Sequence, residues 1–184
     1  MKQVSDKALV EQVAANGSHP AFAELLRRYQ HDIRRFLLSL THGDGQLTDD
    51  LAQEAFIKAY QRMEQCEKGE QIKSWLYTIA HRCFFDYIRG KKMTEDIVES
   101  SEAPVERSDE RGVSTQMDVQ WAMRQLSQAE HLCITLFYME DQPIDKIAEI
   151  TTFKSSTIKS HLRRAKEKMA SSLSQQGYGP SDIY

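Results

Sequence analysis

Three groups of residues in this sequence carry side chains able to bind or react. The first mixes aromatic rings with cations. Between Lys73 and Lys92, the rings of Trp75, Tyr77, Phe84 and Phe85 lie among Lys73, Arg82, Arg89, Lys91 and Lys92, with Asp86 the single acid and a net charge of +4. Rings stack on unpaired bases and cations follow phosphates, so this mixture on one helix suits single-stranded nucleic acid. A core helix whose surplus aromatics simply pack is the competing reading, and the stretch alone does not decide between them. The second group is a basic block, Lys154 to Lys168, with six Lys or Arg, one acid and a net charge of +5. The third is histidine and cysteine. His81/Cys83 and His131/Cys133 are His-x-Cys pairs, but residues two apart on a helix point roughly 200° away from each other, so neither pair chelates alone. His31, His81, His131 and the three cysteines form no nucleophile–base–orienter set and no ligand spacing. A metal-dependent enzyme therefore has nothing to rest on, and neither a metal nor a cofactor is expected. Cys66, Cys83 and Cys133 read as ordinary semi-buried thiols.

These groups need a scaffold, and the whole chain bounds it. A length of 184 residues holds one medium domain or two small ones, and 40% hydrophobic with 28% charged residues fits a folded, soluble chain. No run approaches a membrane span and no apolar segment follows Met1, so a cytoplasmic protein without membrane insertion is expected. A net charge of −3 argues on its face against nucleic acid, but the charge is segregated. Asp44 to Glu54 holds four acids and no Lys or Arg, while Glu95 to Arg111 holds seven acids and two arginines. Two basic blocks flank an acidic one, and this pattern matters more than the sum.

The periodicity is helical throughout. Asp6 to Ala15 reads as a short amphipathic helix with Leu9, Val10 and Val13 on one side, followed by the turn cluster Asn16 to Pro20. Ala21 to Thr41 is longer, with Phe22, Leu25, Leu26, Tyr29, Ile33, Phe36, Leu37 and Leu40 as a core stripe and Arg27, Arg28, Arg34 and Arg35 off it. Thr48 is expected to cap a helix from Asp49 to about Met63, which buries Leu51, Ala52, Ala55, Phe56 and Ala59. Its polar face holds Asp50, Gln53, Glu54 and Lys58. After the polar loop Gln65 to Gln71, Ser74 is expected to start the aromatic helix and Gly90 to end it. Its buried stripe is Leu76, Ile79, Ala80, Cys83, Tyr87 and Ile88.

Residues 95–115 change character, being rich in Glu, Ser and Asp, and read as a flexible acidic linker. Beyond it, Met117 to Leu126 is a helix with Val119, Trp121, Ala122 and Leu126 inside. Gln128 to Met139 is the next, with Leu132, Cys133, Leu136 and Phe137. Pro143 sits at the start of a short helix marked by Ile144, Ile147 and Ala148. Ser155 or Ser156 then caps a helix burying Ile158, Leu162, Ala165, Met169 and Leu173. A short helix, a tight turn and a longer basic helix make a helix-turn-helix pattern. Ser156, Lys159, Ser160, Arg163 and Arg164 fall on its outward face, where cations can meet phosphates and purine edges. The expected fold is all-α. It comprises two small helical domains at 1–94 and 116–174, the linker 95–115 between them, and a mobile tail 175–184.

Three stretches carry a resemblance. Asp50 to Tyr60, Ser74 to Arg89, and Ile147-Ala148-Glu149 followed by Ser156 to Ala165 resemble, in this order, the polymerase-binding helix, the −10 region and the −35 helix-turn-helix of the extracytoplasmic-function (ECF) sigma factors. The resemblance implies that Asp50, Gln53 and Glu54 dock on the β′ coiled-coil of core RNA polymerase. It implies that Thr78, His81, Arg82, Phe85 and Arg89 face −10 DNA, with Trp75 packed. It further implies that Ser156, Lys159, Ser160, Arg163 and Arg164 read the −35 element of promoter DNA near the β flap. No bond chemistry would belong to the chain, and an anti-sigma factor is the expected inhibitor. Where the family has Leu-Gly before its recognition helix, this chain has Thr151-Thr152, a turn without glycine's easy positive φ. A stand-alone helix-turn-helix regulator is the alternative; it leaves the acidic and aromatic helices without a role.

Overall fold

The computed structural model describes residues 4–66, 69–95, 115–175 and 177–178. The linker expected at 95–115 and the tail expected at 175–184 lie almost wholly outside these residues. Among the described residues all regular structure is helical: α1 Asp6–Asn16, α2 His19–Leu40, α3 Gly45–Gln61, α4 Ile72–Glu95, α5 Thr115–Arg124, α6 Gln128–Ile134, α7 Ile144–Thr151 and α8 Ser155–Ser174. Short 3-10 turns at Met63–Gln65 and Gly69–Gln71 join α3 to α4, and a π turn, Thr135–Met139, extends α6.

The first bundle is built on α2. Leu25, Ile33, Phe36, Leu37 and Leu40 are buried, with Phe22, Leu26 and Tyr29 partly covered beside them. Against this stripe lie Leu9, Val10 and Val13 of α1, Leu51, Ala55, Phe56 and Ala59 of α3, and Leu76, Tyr77, Ile79, Ala80, Cys83 and Phe84 of α4. Each Leu, Ile, Val or Phe among them, fully buried, contributes about 1.5–3 kcal/mol relative to exposure. The second bundle packs α6 on α8 around Leu132, Cys133, Leu136, Ile147, Ile150, Ile158, Leu162 and Ala165.

Helix ends differ from expectation in ways that follow from capping and tertiary contact. Ser18, inside the expected turn cluster, caps α2, which starts at His19 rather than Ala21, with Pro20 in the first turn. Asp44 caps α3, so that helix starts four residues before Asp49; its carboxylate accepts from the Leu47 amide at 3.0 Å. Thr48 is instead fully buried within α3, its hydroxyl 2.7 Å from that of Thr41 and donating to the Asp44 carbonyl at 2.6 Å. Ser74 and Gly90 both lie inside α4, which starts at Ile72 and runs on to Glu95. Ser155 and Ser156 sit in the first turn of α8, with Lys154 at the cap position and no side-chain cap bond. Ser127 makes a full capping box with Glu130 at the start of α6.

Two residues expected in the core face solvent: Tyr87 is 40% exposed and Val119 37%. Two rings offered for base stacking are core instead. Tyr77 is fully buried, edge-on to Phe36 at 5.1 Å between centroids, and Phe84 is buried as well. Cys66, Cys83 and Cys133 are all buried free thiols.

The two bundles touch. Helix α7 packs on α4, and the π turn packs on α2. Polar contacts cross the boundary from Arg35, Ser39, Ser74 and Tyr77 on one side to His131, Thr135, Glu140 and Gln142 on the other.

Candidate nucleic-acid interface

Helical spacing along α4 puts Thr78, His81, Arg82, Phe85 and Arg89 on one side, because residues three and four apart are neighbours on a helix. Their environments differ. Arg82 and Arg89 are exposed, with Arg89 3.8 Å from Asp86. Thr78 is half-buried and donates its hydroxyl to the Ser74 carbonyl at 3.0 Å. His81 lies against Phe85, ring centroids 4.5 Å apart, and neither ring nitrogen has a hydrogen-bond partner. Burial, helped by the Arg82 charge, pushes the His81 pKa down to about 4. His81 is therefore neutral near pH 7 and offers a ring rather than a charge. Lys73 lies on the other side of α4 and pairs with Asp32 of α2 at 2.8 Å.

Ahead of this face is a cleft of about 250 Å³ lined by Gln65, Cys66, Gln71, Ser74, Trp75, Thr78 and Glu149. Trp75 is partly buried against the core and forms one wall. The segment before α4 is held close to α1. A Cβ on Gly69 would come within 2.8 Å of the Lys7 Cα, so only glycine fits that approach.

On α3, Asp50, Gln53 and Glu54 are all exposed, as their spacing requires. Glu54 pairs with Lys58 at 2.6 Å, and Asp49, next to the set, pairs with Arg34 at 2.7 Å. Ile57, one turn beyond Glu54 on the same face, is 49% exposed. Ile57 is absent from the polar face expected from the sequence. Its position three residues after Glu54 and seven after Asp50 was the available signal.

On α8, Ser156, Lys159, Ser160, Arg163 and Arg164 are all exposed, while Ile158, Leu162 and Ala165 point inward. Arg163 pairs with Glu167 at 2.7 Å. Arg164 leans back, its Nε 3.6 Å from Glu130 and its Nη2 3.0 Å from His161 Nδ1. Glu130 also holds Lys168 at 2.7 Å. Burial works to raise the Glu130 carboxyl pKa, but the Lys168 and Ser127 hydrogen bonds outweigh it and hold the value below the ordinary range.

The turn into α8 does reach positive φ without glycine. Thr152 takes φ 63° and ψ 11° at the end of α7, and its amide donates to the Ala148 carbonyl at 2.9 Å. Thr151 supports it, its hydroxyl accepting from the Phe153 amide at 3.2 Å. A β-branched residue in this region is rare and strained.

Among the described residues, no three His, Cys, Asp or Glu side chains gather to hold a metal, and no helix is long and apolar enough to cross a membrane.

Comparison with known families matches residues 25–94 to Sigma-70 region 2 and residues 116–169 to Sigma-70 region 4. The ECF RNA polymerase sigma factor SigM of Bacillus subtilis is 28% identical over 150 residues, which cover 79% of this chain and 91% of the relative. The ECF RNA polymerase sigma-E factor of Escherichia coli K12 is 28% identical over 182 residues, 90% of this chain and 93% of the relative. In fold, the chain is similar to the sigma factor RpoE solved with the anti-sigma factor NepR from Bartonella quintana. The TM-score is 0.72 at 24% identity, over 83% of this chain and 96% of that one. CnrH, solved with the cytosolic domain of CnrY, gives 0.69 at 16% identity over 92% of this chain and 97% of that one. The two matched segments together span more than half of the chain, in the order its sequence motifs suggest, and named ECF sigma factors align along most of its length; this chain therefore belongs to the extracytoplasmic-function sigma factors.

Proposed function

We propose that this chain brings core RNA polymerase to specific promoters and opens their −10 DNA, with each of three exposed faces doing one part. Residues 1–94 form the polymerase-binding and −10 domain, and residues 116–174 form the −35 domain. Asp50, Gln53 and Glu54 dock on the β′ coiled-coil, with Ile57 as the apolar centre of the contact. Arg82, Arg89, Phe85, His81 and Thr78 hold unpaired −10 DNA, rings on bases and guanidinium groups on phosphates. Holding an unstacked base offsets part of the cost of melting, a few kcal/mol per step. Ser156, Lys159, Ser160, Arg163 and Arg164 enter the major groove of the −35 element, with the second domain near the β flap. The chain makes and breaks no covalent bond itself; polymerisation belongs to the core enzyme, and the site of action is the cytoplasm. A protein inhibitor of the anti-sigma kind, as in the RpoE–NepR complex of Bartonella quintana, is the inferred regulator.

The observation that carries this reading is that one chain presents exposed Asp50, Gln53 and Glu54 on α3, exposed Arg82 and Arg89 beside the half-buried His81 and Phe85 rings on α4, and exposed Lys159, Arg163 and Arg164 on α8. Run-off transcription from genomic fragments with purified core enzyme tests it. Specific transcripts that need both proteins are expected. A chain that footprints duplex DNA alone, yet gives core enzyme no specific start, would be a stand-alone regulator instead.

A further inference from the structure

A helix about 10–12 Å across fills a major groove about 12 Å wide, so its outermost line faces base edges and its two flanks stand beside the sugar-phosphate strands. On α8 the buried residues Ile158, Leu162 and Ala165 fix which line is outermost. At about 100° per residue, Ser156 and Ser160 lie opposite them, Lys159 and Arg163 fall on one flank, and His161, Arg164 and Lys168 fall on the other. This second flank is turned towards α6, from which Glu130 reaches both Arg164 and Lys168.

Arg164 is gripped there from two sides. Its Nη2 donates to His161 Nδ1 at 3.0 Å, and its Nε stands 3.6 Å from one Glu130 carboxylate oxygen. Glu130 is fixed in place: its side chain is 5% exposed, and its other oxygen accepts from Lys168 Nζ at 2.7 Å and from the Ser127 amide at 3.0 Å. His161 is half-buried, its ring centroid 5.5 Å from that of Phe153 in the turn. Arginine has no acceptor, so the contact needs a lone pair on His161 Nδ1 and puts the ring proton on Nε2. Burial and the Arg164 charge lower the His161 pKa below its usual 6.5, against the pull of Glu130, so the acceptor persists at neutral pH. Nε and Nη2 share one edge of the planar guanidinium fork, which leaves Nη1 for a ligand.

We propose that His161 is a positioning residue for Arg164: with Glu130 behind it, it holds the guanidinium on the α6 flank of α8 so that Nη1 meets a backbone phosphate of the −35 element and not a base edge. The proposal rests on the −35 reading of α8 and separates two kinds of contact within it. Bidentate reading of guanine takes two groups of an arginine fork, and His161 already holds Nη2. A phosphate contact takes one. A side chain ordered before DNA arrives loses less rotamer freedom on binding. A phosphate contact held in this way fixes the register of the rest of the helix face in the groove.

The test is a double-mutant cycle on holoenzyme, the full-length chain with core polymerase, binding a promoter duplex identified by run-off transcription. Arg164→Ala should weaken binding severalfold, lower the salt slope by about 1 and leave unchanged the ranking of duplexes with single −35 substitutions. His161→Ala should also weaken binding, but adding it to Arg164→Ala should cost nothing more. His161→Asn, whose amide oxygen can stand in for Nδ1, should recover wild-type affinity. Losses that add, or a His161→Asn variant no better than His161→Ala, would overturn the proposal. A changed base ranking in Arg164→Ala would overturn the phosphate assignment. Unchanged binding by Arg164→Ala, where Lys159→Ala or Arg163→Ala weakens it, overturns the proposal and leaves the −35 reading standing. If all three leave binding unchanged, the −35 reading of α8 fails and the proposal falls with it.

Discussion

The hydroxyl of Ser39 lies 3.0 Å from Nε2 of His131, joining α2 to α6 across the boundary between the bundles. His131 is buried, and the His42 ring stands 4.9 Å from it. Burial, with His42 a lesser influence, pushes the His131 pKa from 6.5 down to about 4. The folded chain therefore binds fewer protons than the unfolded chain between these values. Stability is complete above pH 6.5 and is lost as pH falls towards 4. At pH 5 the loss from this one residue is about 2 kcal/mol. His131→Gln keeps a group able to bond Ser39 but does not titrate. Urea unfolding at pH 7.5 and pH 5 should show a smaller acid loss in the variant than in the wild type; equal losses would mean His131 is not the group responsible.

Thr152 carries the backbone strain of the helix-turn-helix turn, at φ 63°. A left-handed conformation costs an L-residue with a Cβ roughly 1–2 kcal/mol. Thr152→Gly relieves it, and part of the gain is offset by glycine's greater freedom in the unfolded chain. A net gain of about 1 kcal/mol is expected in chemical denaturation.

Gly69 predicts the opposite. Its alanine Cβ would sit 2.8 Å from the Lys7 Cα, a backbone atom that cannot swing aside. Gly69→Ala should destabilise by about 1–3 kcal/mol, as overpacking does. Gly45 is the control: a Cβ there meets nothing within 4 Å, and Gly45→Ala should cost nothing or stabilise slightly. The same denaturation series reads both.

Charge reversal at Asp50 and Glu54, both exposed, should leave the thermal midpoint close to the wild type, since surface changes move stability by about 0.5 kcal/mol or less. Affinity for core polymerase should fall at least tenfold, about 1.4 kcal/mol. Ile57→Asp should do the same through the apolar part of the face. Core binding measured by fluorescence anisotropy checks all three, and wild-type affinity in each would reject the α3 face.

Lys159→Ala or Arg163→Ala should weaken binding to the −35 element by about 1–3 kcal/mol where the side chain meets a base edge, or lower the salt slope by about 1 where it meets a phosphate. Arg163 must first leave Glu167, 2.7 Å away. Glu167→Gln should therefore tighten DNA binding. Gel-shift titrations over a range of KCl concentrations separate these outcomes.

The α2 stripe and the outward sides of α3 and α8 were legible because a 3.6-residue period leaves a direct mark on the order of residues. Helix ends were less legible for a local reason: Asp44 and Thr48 are both competent caps four residues apart, and the bonds of the Thr48 hydroxyl to the Thr41 hydroxyl and the Asp44 carbonyl hold Thr48 inside. Gly90 misled for the same kind of reason. A glycine inside a helix costs about 1 kcal/mol against alanine, and α4 continues through it regardless. Tyr77 and Phe84 looked available for bases because their ring chemistry is the same in a core as at a surface; only packing against Phe36 and its neighbours distinguishes the two. The Glu140 contacts had no local signature at all. Its partners Tyr77 and Arg35 are 63 and 105 positions away in the chain, beyond any periodicity.

The division of labour along α8 has a consequence for how such a protein diversifies. Ile158, Leu162 and Ala165 hold the helix to its bundle, and Lys168 and Arg164 are tied to Glu130. Ser156, Lys159, Ser160 and Arg163 carry none of that duty. A gene copy can therefore exchange those four residues, one after another, and each intermediate still folds. Under the proposed −35 role of this face, substitutions at these positions should change DNA preference while leaving the thermal midpoint close to that of the wild type.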